Sequence, residues 1–324
     1  MKKVLIYLGI AAALTGLTGC EDFLTRAPKL QQSTEITLST YSGLNDATHG
    51  AYYYLASSSW YGQSWVIDAE MRSGNGKKSN FKNSGRCVQA YNWNYTEDGT
   101  SGMWSVAYVT IAMANNVIDN LAGKATGDVT EQDLNNLKAE CLFLRALAHF
   151  DLVRTFAMPY NHTTDASHLG VPVIVEPQAP SATPARAKVS EVYTQIISDL
   201  TTAETLIAAD YVRGFKDPKA SVTKEAIQAL LSRAYLYTEN WQKAADFAAT
   251  HPNFKVMEVE DAAKAGDLVM MLVPDELAAD IYNKQVAPHM KDGDVLMFAH
   301  GFNIHFNFIQ PAKNIDVIMV APKG

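Results

Sequence analysis

Four groups of residues in this chain have types and spacings that could do chemistry. The first is Cys20, which follows Leu17-Thr18-Gly19 directly and offers a nucleophilic thiol able to carry a thioether-linked lipid. The second is Arg145, His149, Asp151 and Arg154. On a helix, charged side chains three to five positions apart most often serve as ion-pair and hydrogen-bond partners within the array, so these four are read as structural. The third is His300-Gly301-Phe302-Asn303, which closes the apolar run Val295–Ala299. In an open α/β sheet, turns at the carboxyl ends of strands are where ligands bind. The fourth is Trp60, Tyr61, Trp65 and Trp93, set among Ser, Asn and Gly between Ser57 and Gly102. Aromatic faces can stack on the apolar faces of sugar rings and amides can hydrogen-bond hydroxyls, although buried Trp and Tyr also serve as core anchors.

Bulk properties narrow the function classes. The chain has 324 residues, 48% of them hydrophobic and 19% charged, which suits buried cores and excludes global disorder. A net charge of −7 argues against a nucleic-acid partner. Three cysteines, Cys20, Cys87 and Cys141, exclude a disulfide framework.

The elements that must position these groups begin with a processing signal. Lys2 and Lys3 precede the nearly all-apolar Val4–Leu14, a run short for a membrane span. Leu17-Thr18-Gly19-Cys20 resembles the bacterial lipobox. That resemblance implies removal of residues 1–19, acylation of Cys20 and lipid anchoring in the outer membrane by several acyl chains. The following Glu21-Asp22 resembles the acidic start of surface-exported bacterial lipoproteins.

Residues 20–252 read as mainly helical. Glu35–Leu55 has helical potential, and Ser57–Gly102 reads as irregular. Trp104–Leu121 carries apolar residues at helical spacing. Thr130 with Asp133 reads as the N-terminus of a long helix with one apolar face, ended by Pro159. Val171–Val175 reads as a short extended piece. Helices follow at Val189–Ala209, Thr223–Thr238 and Trp241–Ala249, the last two as a tetratricopeptide-like pair, a scaffold rather than a catalytic site.

Four segments then carry a specific resemblance. Ala139–Arg154, Gly170-Val171-Pro172-Val173, Val192–Leu200 and Thr223–Tyr237 stand in the order found in SusD/RagB-family proteins. The resemblance implies a tetratricopeptide-like helical array in a surface lipoprotein. It implies binding of glycan or peptide nutrient, with a TonB-dependent outer-membrane transporter as partner. Family members usually continue further, so this portion is expected to be truncated.

Residues 254–324 change character. Phe254–Met257, Asp267–Val273, Val295–Ala299 and Ile315–Ala321 read as strands alternating with helices near Val259 and Asp275, an incomplete α/β, Rossmann-type segment. The continuous apolar runs suit parallel strands buried on both faces. Val273–Glu276, Phe298–Phe306 and Asp316–Gly324 resemble ketol-acid reductoisomerase. That resemblance implies NADP contacts from Asp275, Glu276, Leu277 and Ala278, an active-site role for His300, and Mg²⁺ held by carboxylates of a further domain. It implies NADPH- and Mg-dependent conversion of 2-acetolactate in branched-chain amino-acid biosynthesis, in the cytoplasm. The glycine-rich turn that cradles a pyrophosphate is missing upstream of Phe254, so no turnover is expected. The sequence thus predicts a chimera with a join between about Thr250 and Phe254. Its leading reading is a non-enzymatic, cofactor-free and metal-free nutrient-binding lipoprotein. The reductoisomerase is the alternative.

Overall fold

A computed structural model of the protein describes residues 33–72, 77–78, 85–94, 97–215, 220–249, 257–273, 275–298 and 301–319, with backbone alone at 97–101 and 247–249. Cys20, Phe254–Val256 and His300 lie outside the described residues. The helical portion and the α/β portion have separate buried clusters.

The helical portion runs α1 (Thr34–Leu38), α2 (Tyr41–Leu55), α3 (Ser64–Arg72), α4 (Val88–Tyr91), α5 (Glu97–Asn120), α6 (Glu131–Phe156), α7 (Val189–Leu206), α8 (Lys224–Tyr237) and α9 (Trp241–Ala249). The expected helix over 35–55 is broken, because Ser39 caps the end of α1 and the Thr40 hydroxyl accepts from the Gly43 amide at 3.2 Å to start α2. Gly43 is required at that corner, since a Cβ there would stand 1.8 Å from the Thr37 carbonyl oxygen. Within the stretch read as irregular, Ser64–Arg72 is helical. The long helix α6 opens as expected. The Thr130 hydroxyl accepts from the Asp133 amide, and the Asp133 carboxylate accepts from the Thr130 amide at 2.8 Å.

α6 is the central element. The sequence suggests one apolar face, but α6 is buried on several sides. It packs on α5 and α7 along its length and touches α2 and α8. Leu144, Phe150 and Leu152 are fully buried, and the Phe150 ring meets Tyr193 and Tyr237 edge-on, with centroids 6.2 and 5.1 Å apart. Truncating such a side chain typically costs about 2–5 kcal/mol. A second buried cluster joins Leu44 of α2 with Ala114 and Val117 of α5 and Leu137 and Cys141 of α6. Cys87 and Cys141 are both free thiols, and burial pushes Cys141 up to about 12. No described helix is long and apolar enough to cross a membrane.

The α/β portion contains α10 (Val259–Ala265), β1 (Leu268–Met271), α11 (Asp275–Ile281), a π-helical turn (Tyr282–Val286), β2 (Val295–Phe298), α12 (Phe302–His305) and β3 (Asp316–Met319). Its sheet is parallel, in the order β1-β2-β3, with Leu268 beside Val295 and Val295 beside Asp316. One face carries Met271, Leu296 and Phe298, which pack with Ala263, Ala278, Tyr282 and Val286. The expectation of strands buried on both faces is corrected. Leu268 and Met270 are exposed on the opposite face, and all four residues of β3 are exposed, because no described helix covers them.

Candidate functional site

The residues around Trp60 are organised by a carboxylate ninety positions away. Asp151 on α6 accepts from Trp60 Nε1 at 3.0 Å and from the Tyr61 hydroxyl at 2.7 Å, both on Oδ2. Its Oδ1 lies 3.5 Å from Arg154 Nη1 one turn on. Burial pushes the Asp151 carboxyl up, and Tyr61, Trp60, Arg154 and Arg233 oppose that shift. Asp151 therefore fixes the turn that follows α2 and leads into α3.

A cleft of about 550 Å³ opens beside this turn. α3 contributes Ser64, Trp65, Asp68 and Arg72, the start of α5 contributes Gly102 and Met103, and the end of α6 contributes Arg154, Thr155 and Phe156. Gly102 permits the close approach, since a Cβ there would come within 3.1 Å of the Ser59 hydroxyl. The Arg154 guanidinium sits 5.6 Å from the centre of the Trp65 ring, 5.0 Å from Phe150 and 4.9 Å from Tyr237. Such stacking holds a cation in place while part of it faces the cleft. Desolvation raises the Asp68 pKa and Arg72, four residues on, opposes the rise.

The aromatic residues singled out from sequence have different fates. Trp60 is fully buried, stacked on Tyr61 at 5.4 Å, so as it stands its ring offers no face to a ligand. Tyr61 is 40% exposed, with its hydroxyl committed to Asp151. Trp65 lines the cleft, half-buried, 6.2 Å from Tyr61. Trp93 is 61% exposed in the turn after α4, with φ +57°, and is not among the described residues lining the cleft. Sequence reasoning missed Asp68 and Arg72 as cleft residues. Their i,i+4 spacing, together with Ile67 and Met71, was the available sign of a helix there.

Of the four α6 residues singled out by their spacing, Arg145, His149 and Asp151 are structural partners, on other elements as well as their own, whereas Arg154 also lines the cleft. Arg145 donates from Nε and Nη2 to both oxygens of Asp199 on α7, and from Nη1 to Asn115 and the Val175 carbonyl. His149 Nε2 accepts from the Ile174 amide at 3.2 Å, so Nδ1 carries the proton and donates to the Arg145 carbonyl at 3.0 Å. Burial lowers its pKa to about 4. Arg213 pairs with buried Glu140 and bonds Asn45 and His49, tying the chain after α7 to α2.

In the α/β portion, Asp275 and Glu276 occupy the first turn of α11, and Asn303 Nδ2 bonds both the carbonyl and Oδ1 of Asp275 at 3.1 and 3.0 Å. Leu277 is exposed, whereas the Ala278 side chain is buried in the apolar cluster. A dinucleotide also needs backbone amides presented by a glycine-rich strand-to-helix turn. The chain from β1 into α11 is Leu272-Val273-Pro274-Asp275, without glycine. These residues do not make a pyrophosphate cradle. Among the described residues, no cluster of His, Cys, Asp and Glu could hold a metal ion.

Comparisons with known proteins divide the chain in the same way. Residues 22–236 match the SusD-like family described as starch-binding and associating with the outer membrane. Residues 235–324 match the NADPH-binding domain of acetohydroxy acid isomeroreductase. The two ranges meet within α8, upstream of the join expected near residues 250–254. A SusD-superfamily structure from Bacteroides thetaiotaomicron is 27% identical, with a TM-score of 0.57, over 69% of this chain and 49% of its own. A putative sugar-binding protein from Bacteroides vulgatus is 27% identical, with a TM-score of 0.57, over 80% of this chain and 53% of its own. A structure of NADH-preferring ketol-acid reductoisomerase from an uncultured archean is 44% identical over 26% of this chain and 24% of its own, with a TM-score of 0.24. The chain spans about half the length of the SusD-type structures it matches. The helical fold, the order of the segments and the match over residues 22–236 together place the chain in the SusD-like family, joined at its C-terminal end to a reductoisomerase-type α/β segment.

Proposed function

We propose that this chain is a surface-exposed outer-membrane lipoprotein of the SusD/RagB type, anchored through Cys20, that binds a glycan in the cleft between α3, α5 and α6 and delivers it to a TonB-dependent transporter. The observation that carries the reading is the cleft itself. A half-buried Trp65 ring stands beside the Arg154 guanidinium, with Asp68, Arg72, Ser64 and Thr155 around it. Aromatic faces take the C–H faces of a sugar ring. Planar guanidinium and carboxylate groups can each span two neighbouring hydroxyls. A solved structure of the same fold described as a putative sugar-binding protein supports this choice of ligand. Trp93 supplies a second exposed aromatic surface in this proposal, and Trp60 and Tyr61 act as its scaffold.

The test is equilibrium binding of the full chain to a panel of soluble glycans. Trp65→Ala should weaken binding at least tenfold, about 1.4 kcal/mol. Trp60→Phe should leave affinity unchanged. Unaltered affinity in Trp65→Ala would remove the cleft from the account.

The reductoisomerase reading has the match over residues 235–324 in its favour. The glycine-free chain from β1 into α11 weighs against a pyrophosphate cradle there, and we propose that this segment carries no turnover of 2-acetolactate.

A further inference from the structure

We propose that His49 and Arg213 form a proton-released latch, which holds the segment after α7 against α2 at neutral pH and frees it as pH falls. Residues 207–215 leave α7 and meet α6 and then α2. The Ala208 amide donates to Asn136 Oδ1 of α6 at 2.9 Å. Further on, Arg213 and Phe215 grip α2.

Every nitrogen of the Arg213 guanidinium has a partner. Nη1 pairs with buried Glu140 of α6, and Nη2 donates to the carbonyl and Oδ1 of Asn45 at 2.8 and 2.7 Å. Nε donates to His49 Nε2 at 3.2 Å. The Phe215 ring packs 5.2 Å from both the His49 and the Tyr52 rings. A guanidinium only donates, so His49 Nε2 must accept and the ring proton sits on Nδ1. A proton added at Nε2 would set one N–H against another and place an imidazolium beside the guanidinium. The His49 side chain is 43% exposed, so water can deliver that proton.

Among the described residues, the charged and titratable groups around the ring are Arg213 and, on α2 itself, Asp46. Behind Arg213 stand Glu140 of α6 and the hydroxyls of Tyr41, Tyr52 and Tyr211. Asp46 favours the imidazolium, but its carboxylate lies 3.9 Å from Nδ1 and its side chain is 72% exposed, where an ion pair is weak. Burial first, and then Arg213, hold the His49 pKa below the ordinary 6.5. Burial pushes the Glu140 carboxyl up, and Arg213, Tyr211 and Tyr52 oppose that shift. With the latch open, the ring loses the cation and the cover that lower its pKa. The open arrangement therefore binds the proton more readily, and acid favours it progressively below pH 6.5. Each pKa unit that closure takes from the ring is worth about tenfold in the opening equilibrium.

The test uses the full chain carrying Cys20→Ser, so that acylation plays no part. Hydrogen–deuterium exchange is expressed as protection relative to the intrinsic rate at each pH, for residues 207–215 and 41–55. His49→Gln keeps an acceptor for Arg213 and does not titrate, and Glu140 is present in both chains, so the comparison isolates the imidazole. From pH 7 to pH 5, protection of residues 207–215 should fall by roughly twofold or more in the His49 chain relative to His49→Gln. An NMR titration of the His49 ring, which needs no variant fold, should give a midpoint below 6.5. A midpoint at or above 6.5, or the same acid response in both chains, would overturn the proposal.

Discussion

Arg145 of α6 and Asp199 of α7 face each other as a two-pronged pair, Nε to Oδ2 at 2.8 Å and Nη2 to Oδ1 at 2.6 Å. Both side chains are more than nine-tenths buried. The pair fixes the most extensively packed helix–helix contact of the array, and its remaining donors reach Asn115 of α5 and the extended segment at Val175.

Breaking that pair leaves a buried charge without its counterpart. Asp199→Ala is expected to lower unfolding free energy by about 3–5 kcal/mol. Arg145→Met combined with Asp199→Leu should recover much of the loss, because it removes both charges together. Urea denaturation of the three chains checks this, and a double variant as unstable as the single one would contradict it.

His149 gives the helical portion a defined response to acid. Its pKa falls from the ordinary 6.5 to about 4 on folding, through burial. Above pH 6.5 the ring is neutral in both states and contributes no slope. Below that, the unfolded chain binds the proton first, so stability falls with pH until about pH 4, by up to about 3 kcal/mol. Glu140 and Asp151, whose carboxyls burial pushes up, act with the opposite sign. The measurement is therefore the difference between the wild-type chain and His149→Gln from pH 7 to pH 4. The stability of the wild-type chain minus that of His149→Gln should fall by up to about 3 kcal/mol from pH 7 to pH 4, and a flat difference would exclude the assignment.

Trp60 and Trp65 are told apart by binding. Trp60→Phe removes an N–H bond to a buried carboxylate and is expected to cost about 1.5–3 kcal/mol of stability without changing glycan affinity. Trp65→Ala should lower affinity strongly, with a stability cost of its own because the ring packs on the core and on Arg154. Thermal unfolding and calorimetric binding on the same samples distinguish the two.

The capping box at Thr130 is a local test of the central helix. Thr130→Ala should cost about 1 kcal/mol, and Thr130→Ser should cost much less. Equal losses in the two variants would show that the methyl group, not the hydroxyl, matters there.

Local signals made much of this legible in the sequence. The Thr130–Asp133 box, the apolar spacing of α5 and the strands Val295–Phe298 and Asp316–Met319 all rest on interactions between near neighbours. The site was less legible because its organiser is remote. Nothing near Trp60 signals that Asp151 takes its N–H, and a single exposure value separates Trp60 from Trp93. α3 was obscured by the Ser, Asn and Gly around it. The exposed β3 could not be read from composition, because an apolar run looks the same whether or not helices cover it.

The central claim is that ligand binding belongs to the helical cleft and not to the α/β segment. Hydrogen–deuterium exchange of the full chain, with and without the glycan it binds most tightly, tests this most directly. The account predicts slowed exchange in residues 59–72 and 102–108 and around Arg154–Phe156, with none in residues 268–305. Protection confined to residues 268–305, or absent from α3, would contradict it.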